Sequence, residues 1–266
     1  MAVALALSLC SIGRGDSTSG AVVHTQNPLV AQYNVALSPG SSATVEFGPD
    51  TNYGFVTASV VATAPAVSIL VAGMKQNSTY HMRAVISHAD GTKTLDSDHT
   101  FTTGAAPASR MPVMSVTQPA GVAPTPGVEL VALNPPPYNP GNLLRVVALN
   151  PQGDLIWYYD FDPHLGTAQP IKLLRNGHFL MVLFGGTTGP GGMVREIDLA
   201  GRIIHEFTVD QLNKWLAVAG YPWKANAIHH DIVELPNGHL LVLVNTKKDF
   251  ADLHGIYGTT SVLGDA

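Results

Sequence analysis

The chain of 266 residues carries a net charge of −5, with 45% hydrophobic and only 12% charged residues, which is ample apolar material for a core and no basic footprint for nucleic acid. Gly and Pro together number 45 (26 and 19), and no long amphipathic helical pattern is present, so many short strands joined by turns are expected. Cys10 is the only cysteine, so no disulfide can form within the chain.

In chain order, Met1 to Leu9 is a nearly unbroken apolar run, with the length of the apolar region of an export signal and too short to span a membrane as a helix. Residues 1–24 therefore read as an exported leader, and a periplasmic or extracellular location follows. The stretch Leu7-Ser8-Leu9-Cys10 also admits membrane anchoring through a lipidated Cys10.

Residues 25–104 read as the first folded unit. Strand-like segments recur at Ala31 to Leu37, Ala43 to Phe47, Phe55 to Ala62, Val67 to Val71, Tyr80 to Ser87 and Thr100 to Thr103. Turn clusters such as Ser38-Pro39-Gly40 and Ala89-Asp90-Gly91 separate them, which is the rhythm of a β-sandwich. The stretch Met74 to Ile86, in which an apolar residue stands six positions before Tyr80, resembles the fibronectin type III module. His81, His88 and His99 read as surface residues. Residues 105–118, rich in Ala, Pro, Ser and Thr, read as a linker.

From residue 119 to 266 two kinds of hairpin alternate. Leu144 to Phe161 and Met193 to Val209 turn at Asn150-Pro151-Gln152-Gly153 and Asp198-Leu199-Ala200-Gly201, whereas Pro170 to Phe184 and Ile228 to Val244 turn at Asn176-Gly177-His178 and Asn237-Gly238-His239. Such alternation is the sequence mark of propeller blades. The segment has room for two to three blades, and the chain reads as the N-terminal part of a longer protein. Gln211 to Trp223 reads as an inserted short helix closing at Gly220. The fold expectation is all-β: a fibronectin type III-like sandwich followed by an incomplete propeller.

The candidate chemistry sits at Ala227 to Phe250, where His229, His230 and Asp231 open a hairpin. Imidazole is the side chain best suited to proton transfer near neutrality. Strand alternation would let only one of the two histidines face inward, the other lying along the sheet. A structural role at a strand entrance is the competing reading. Arg195 on its strand could pair with an anion or serve the blade. His178 and His239, at equivalent turn positions, read as turn residues, Lys247 and Lys248 as a solvated loop, and Trp157, Tyr158 and Tyr159 as blade packing. No metal-ligand set is visible.

Taken together, Val45 to Gly54, Ser78 to Ile86, Pro126 to Leu130, Gly153 to Asp160, Val194 to Ile203 and His229 to Phe250 resemble the bacterial aryl-sulfate sulfotransferases in their order along the chain. The resemblance implies a propeller with six blades and a site at its central channel. The activity it implies is transfer of a sulfuryl group from a phenolic sulfate ester to a phenolic acceptor through a histidine, with no cofactor and small phenols as partners. It implies that His229 or His230 holds the substrate or its sulfuryl oxygens, with the nucleophilic histidine and its companion His and Arg beyond Ala266, so that this chain alone is expected to be inactive. With the reading of the strands beside it, His229 and His230 are the catalytic candidates and Asp231 and Arg195 the substrate-binding ones. A non-catalytic extracellular binding protein, and a propeller oxidoreductase or lyase of other chemistry, remain as alternatives.

Overall fold

A computed structural model describes residues 19–133, 143–186, 191–249 and 261–265. The leader and Cys10 up to residue 18, and His254, lie outside them. The chain divides into two compact units, one holding 19–23, Gln32–Ile69 and Tyr80–Phe101, the other His24–Ala31, Leu70–Thr79 and the residues from Thr102 onward. Strands dominate both, and among the described residues no sheet closes on itself and one α-helix is found, as an all-β chain requires. No helix among the described residues is long and apolar enough to cross a membrane.

In the first unit β1 (Ala21–His24), β2 (Ala31–Ala36), β3 (Ser42–Gly48), β4 (Phe55–Val56), β5 (Val60–Val61), β6 (Ala66–Val71), β7 (Thr79–Ser87), β8 (Lys93–Leu95) and β9 (His99–Thr102) follow the segments read from the sequence, except that Phe55 to Ala62 divides into β4 and β5, and that β8 and β1, the latter within the residues read as leader, are added. They form the sheets β1-β2-β6 and β4-β3-β7-β8, with β5 on β3 and β9 on β7. Alternation is clean in β7, where Tyr80, Met82, Ala84 and Ile86 are buried and the residues between them are not. The buried Asp96 carboxylate accepts from Tyr33 Oη at 2.5 Å and from the Gly20 amide at 2.7 Å, which satisfies a charge that burial alone would make costly.

In the second unit three antiparallel meanders follow one another. The first joins β10 (Glu129–Ala132), β11 (Val146–Leu149) and β12 (Leu155–Tyr159). The second joins β13 (Gly166–Leu173), β14 (Phe179–Gly185), β15 (Met193–Ile197) and β16 (Ile203–Thr208). The third joins β17 (Ala225–Glu234), β18 (Leu240–Asp249) and β19 (Ser261–Asp265). The second meander is apolar on both faces, because each face has its own partner. Met181, Leu183, Met193 and Ile197 pack with Val146, Trp157 and Tyr159 of the first meander, and the Trp157 indole N–H donates to Leu199 O at 2.7 Å. Leu180, Val182 and Val194, pointing the other way, pack with Ala225, Ile228, Ile232 and Val244 of the third.

Between the second and third meanders lies α1 (Val209–Val218), at the place where the sequence predicts a helix. A capping box starts it: the Gln211 amide donates to Thr208 Oγ1 at 3.3 Å and the Thr208 amide to Gln211 Oε1 at 2.8 Å. Gly220, at φ +81°, follows its end, a conformation that side chains rarely adopt. Asn213 on α1 then sets where β17 begins, donating to Ala225 O at 2.9 Å and accepting from Ala225 N at 2.7 Å.

Candidate functional site

The pairing of β17 with β18 breaks at the two histidines. Ile228 pairs with Val244 and Ile232 with Val242, so His229, His230 and Asp231 together lie opposite the single residue Leu243. The extra residues make a bulge, and bulges re-aim side chains that a regular strand would alternate. His230 takes φ +58°, a left-handed conformation that costs a residue with a Cβ on the order of 1 kcal/mol. The result departs from simple alternation. His229 is buried and His230 exposed, yet their Nδ1 atoms meet at 2.5 Å with the rings nearly perpendicular. In such a bond one Nδ1 donates and the other accepts, so the accepting ring is neutral and keeps its proton on Nε2.

The bulge is held from the neighbouring loop. Ile228 N donates to Gly191 O at 2.6 Å, and a Cβ on Gly192 would stand 2.8 Å from Ile228 O. Gly191 and Gly192 have φ of +96° and +82°. Only glycine fits this close approach of backbone to backbone.

Two residues that the sequence reading passed over complete the surroundings. Lys172, near the end of β13, forms an ion pair with Asp231 Oδ1, which also accepts from Ile232 N at 2.8 Å. The Lys172 ammonium, with that amide, holds the Asp231 carboxyl below the usual carboxylate range. Phe184, at the far end of β14, sets its ring 6.3 Å from that of His230. The signal for Lys172 was present as a lone charge inside the apolar run Ile171 to Leu174. Phe184 resembled any other core residue. The assembled set is two imidazoles, an ammonium paired with a carboxylate and an aromatic ring, which can meet an anionic group carried on an aryl body.

Arg195 is not part of it. Its guanidinium points to the opposite face of the second meander, donating to Glu206 Oε2 at 2.6 Å and to Tyr159 Oη at 3.1 Å. Tyr159 and Met193 belong to the core shared with the first meander, whereas Ile228 and Ile232, flanking the bulge, belong to the core shared with the third. Strand alternation enforces the separation, since Val194 faces the bulge side and Arg195 cannot. Asp231, expected to bind substrate, contacts Lys172. Among the described residues no group of three or more His, Cys, Asp or Glu side chains is arranged to hold a metal ion.

His178 has a larger role than its turn position suggested. Its Nδ1 donates to Glu196 Oε1 at 2.6 Å, while His205 Nδ1 donates to Glu196 Oε2 at 2.7 Å and Asn176 Nδ2 to Oε1 at 3.1 Å. Burial pushes the Glu196 carboxyl up, but the hydrogen bonds from His205, His178 and Asn176 outweigh it and hold the carboxyl below its ordinary range. One carboxylate thus ties the β13–β14 turn to β15 and β16.

The family model for arylsulfotransferase (ASST) matches residues 138–260, a span that contains the bulge, Lys172, Phe184 and Arg195. No curated protein and no solved structure matches the chain.

Proposed function

From the match of residues 138–260 to the arylsulfotransferase family model, we propose that the chain acts in sulfuryl transfer from a phenolic sulfate ester to a phenol, with the His229–His230 bulge as the place where the donor is held. The observation that carries the reading is the bulge itself, which brings two imidazoles together beside a lysine and an aromatic ring within the matched segment. Strain at a left-handed, non-glycine residue is characteristic of functional sites.

In this reading the transfer is an in-line displacement at sulfur. A nucleophile's lone pair forms the new bond to sulfur as the bond from sulfur to the aryl oxygen breaks, and the departing phenolate takes a proton. Charge spreads over the sulfuryl oxygens on the way, so donors fixed in advance around them lower the barrier. We assign that donor role to His230, which is exposed, and orientation of His230 to the buried His229. The Nδ1 atoms engage each other, which suits the pair to hydrogen bonding and proton handling. Lys172 supplies positive charge for the sulfate, Asp231 positions Lys172, and Phe184 offers the aryl ring an apolar neighbour.

We further propose that the three meanders are blades of a propeller, after an N-terminal fibronectin-like module. The support is that each meander buries one face against the next, with the middle one buried on both. In that architecture β13 and β17, the first strands of consecutive blades, would line the channel, which accounts for Lys172 reaching Asp231.

Calorimetric titration with phenyl sulfate tests the donor assignment. Binding that disappears in a folded variant carrying both His229→Ala and His230→Ala supports it. Equal affinity in that variant and the natural sequence would make the bulge a packing feature.

A further inference from the structure

Where the core between the second and third meanders runs out toward the turns, it opens into a cavity of about 250 Å³. Its floor includes Leu180, Val194 and Phe207, and its polar groups include Glu196, His205 and Glu234. Strand alternation explains why Glu234 is there: it lies two residues past the buried Ile232 and so points the same way, toward the second meander. Five of the ten lining residues are apolar, and none is Lys or Arg. The cavity is separate from the bulge, being lined from the β13–β14 turn, β14, β15, β16 and the β17–β18 hairpin.

The hydrogen-bonding inventory of this cavity is one-sided. Ionised Glu196 can only accept, and its Oε2 accepts a hydrogen bond from His205 Nδ1. A neutral His205 is therefore left with Nε2 as a bare acceptor. Asn176 gives one of its two side-chain N–H groups to Glu196, and its Nδ2 also lies 3.1 Å from His178 Nδ1. The Glu234 carboxylate has no hydrogen bond or ion pair among the described residues, although it sits half-buried beside an apolar floor. A charge in that position is stabilised by an opposite charge arriving in the cavity.

We propose that this cavity binds a small organic cation, a primary ammonium group carried on a single apolar or aromatic ring, with the ammonium on Glu234 and His205 and the ring on Phe207, Leu180 and Val194. Three considerations select this class. The lining accepts hydrogen bonds and lacks cationic donors, and an ammonium brings three donors. Two carboxylates repel an anion, so an aryl sulfate or other anionic ester is excluded from the cavity. The volume lies below the roughly 300–1,000 Å³ of sites for larger organic ligands, which limits the body to about one ring. This inference stands whether or not the bulge handles sulfuryl groups.

Titration calorimetry of the full chain, with 2-phenylethylamine, 2-phenylethanol and phenylacetate as probes, tests it. The amine is expected to bind at least tenfold more tightly than the alcohol, with no measurable binding of the carboxylate. Glu234→Gln should weaken the amine at least tenfold while leaving phenyl sulfate binding unchanged. Because Glu234 is at a strand end and makes no described polar contact, its substitution should not prevent folding. Phe207→Ala, which shortens the floor, should weaken amine and alcohol alike. Equal affinity for amine and alcohol, or unchanged amine binding in Glu234→Gln, would overturn the proposal.

Discussion

His229 and His230 are neighbours in a strand, and yet their Nδ1 atoms lie 2.5 Å apart. A regular strand would send the two rings to opposite faces. The bulge opposite Leu243 and the left-handed backbone of His230 bring them together. The positive φ separates function from stability at this position. His230→Gly should be more stable to heat or urea than His230→Ala by about 1 kcal/mol, because alanine keeps the Cβ that the left-handed conformation disfavours. Both should lose aryl-sulfate affinity. Alanine as stable as glycine would mean that the backbone at His230 is not held where the structure has it.

Gly192 tests how the loop supports the bulge. A Cβ there would stand 2.8 Å from Ile228 O in a backbone with φ +82°. Gly192→Ala should therefore cost on the order of 1–3 kcal/mol of stability and weaken phenyl sulfate binding, because the carbonyl beside His229 must move. Unfolding midpoints and titration of the same preparation check both effects. Unaltered binding would separate the loop from the site.

Arg195 should behave as a structural residue. Its side chain is 8% exposed and pairs with Glu206 on the face away from the bulge. Arg195→Met should lower stability by about 1–3 kcal/mol, from the lost hydrogen bonds to Glu206 and Tyr159, while affinity for phenyl sulfate stays within about twofold. A large loss of affinity in folded protein would return Arg195 to the substrate.

Glu196 predicts a pH dependence. Its carboxyl is held below the usual range in the folded chain, so it binds fewer protons there than in the unfolded chain near its ordinary pKa of about 4.3. The stability it contributes is full above that value and is lost as pH falls through the lower, folded pKa. Glu196→Gln should remove that part of the acid dependence. At neutral pH it should cost about 1–3 kcal/mol, from hydrogen bonds to a charged acceptor. Denaturant unfolding of both proteins between pH 7 and about pH 3 reads the difference. Parallel curves would remove Glu196 from the account.

The strands, the hairpin turns and the capped helix were legible because their causes are local. Alternation marks β7, a Thr and a Gln three positions apart start α1, and Asn-Gly-His turns close the hairpins. The bulge was not legible, because it is a shift in the pairing register of β17 and β18 that neither strand shows alone. The same holds for Lys172 with Asp231, on neighbouring sheets, and for Glu196 with His178 and His205, across paired strands of one sheet, because sheet packing and register make these pairs. For Arg195 the sequence left two readings open, the anion or the blade, since a residue on β15 faces the first meander or the third depending on a register that the sequence does not show.

The central claim, that the His229–His230 bulge serves sulfuryl transfer, is tested most directly by the initial rate of transfer from phenyl sulfate to a phenol in the full-length protein, with and without the two histidines. Their joint replacement by alanine should lower the rate by about 10² to 10³, the range for losing a preorganised donor at a developing charge, with the folded fraction unchanged by circular dichroism. A natural rate in the folded double variant would contradict the claim.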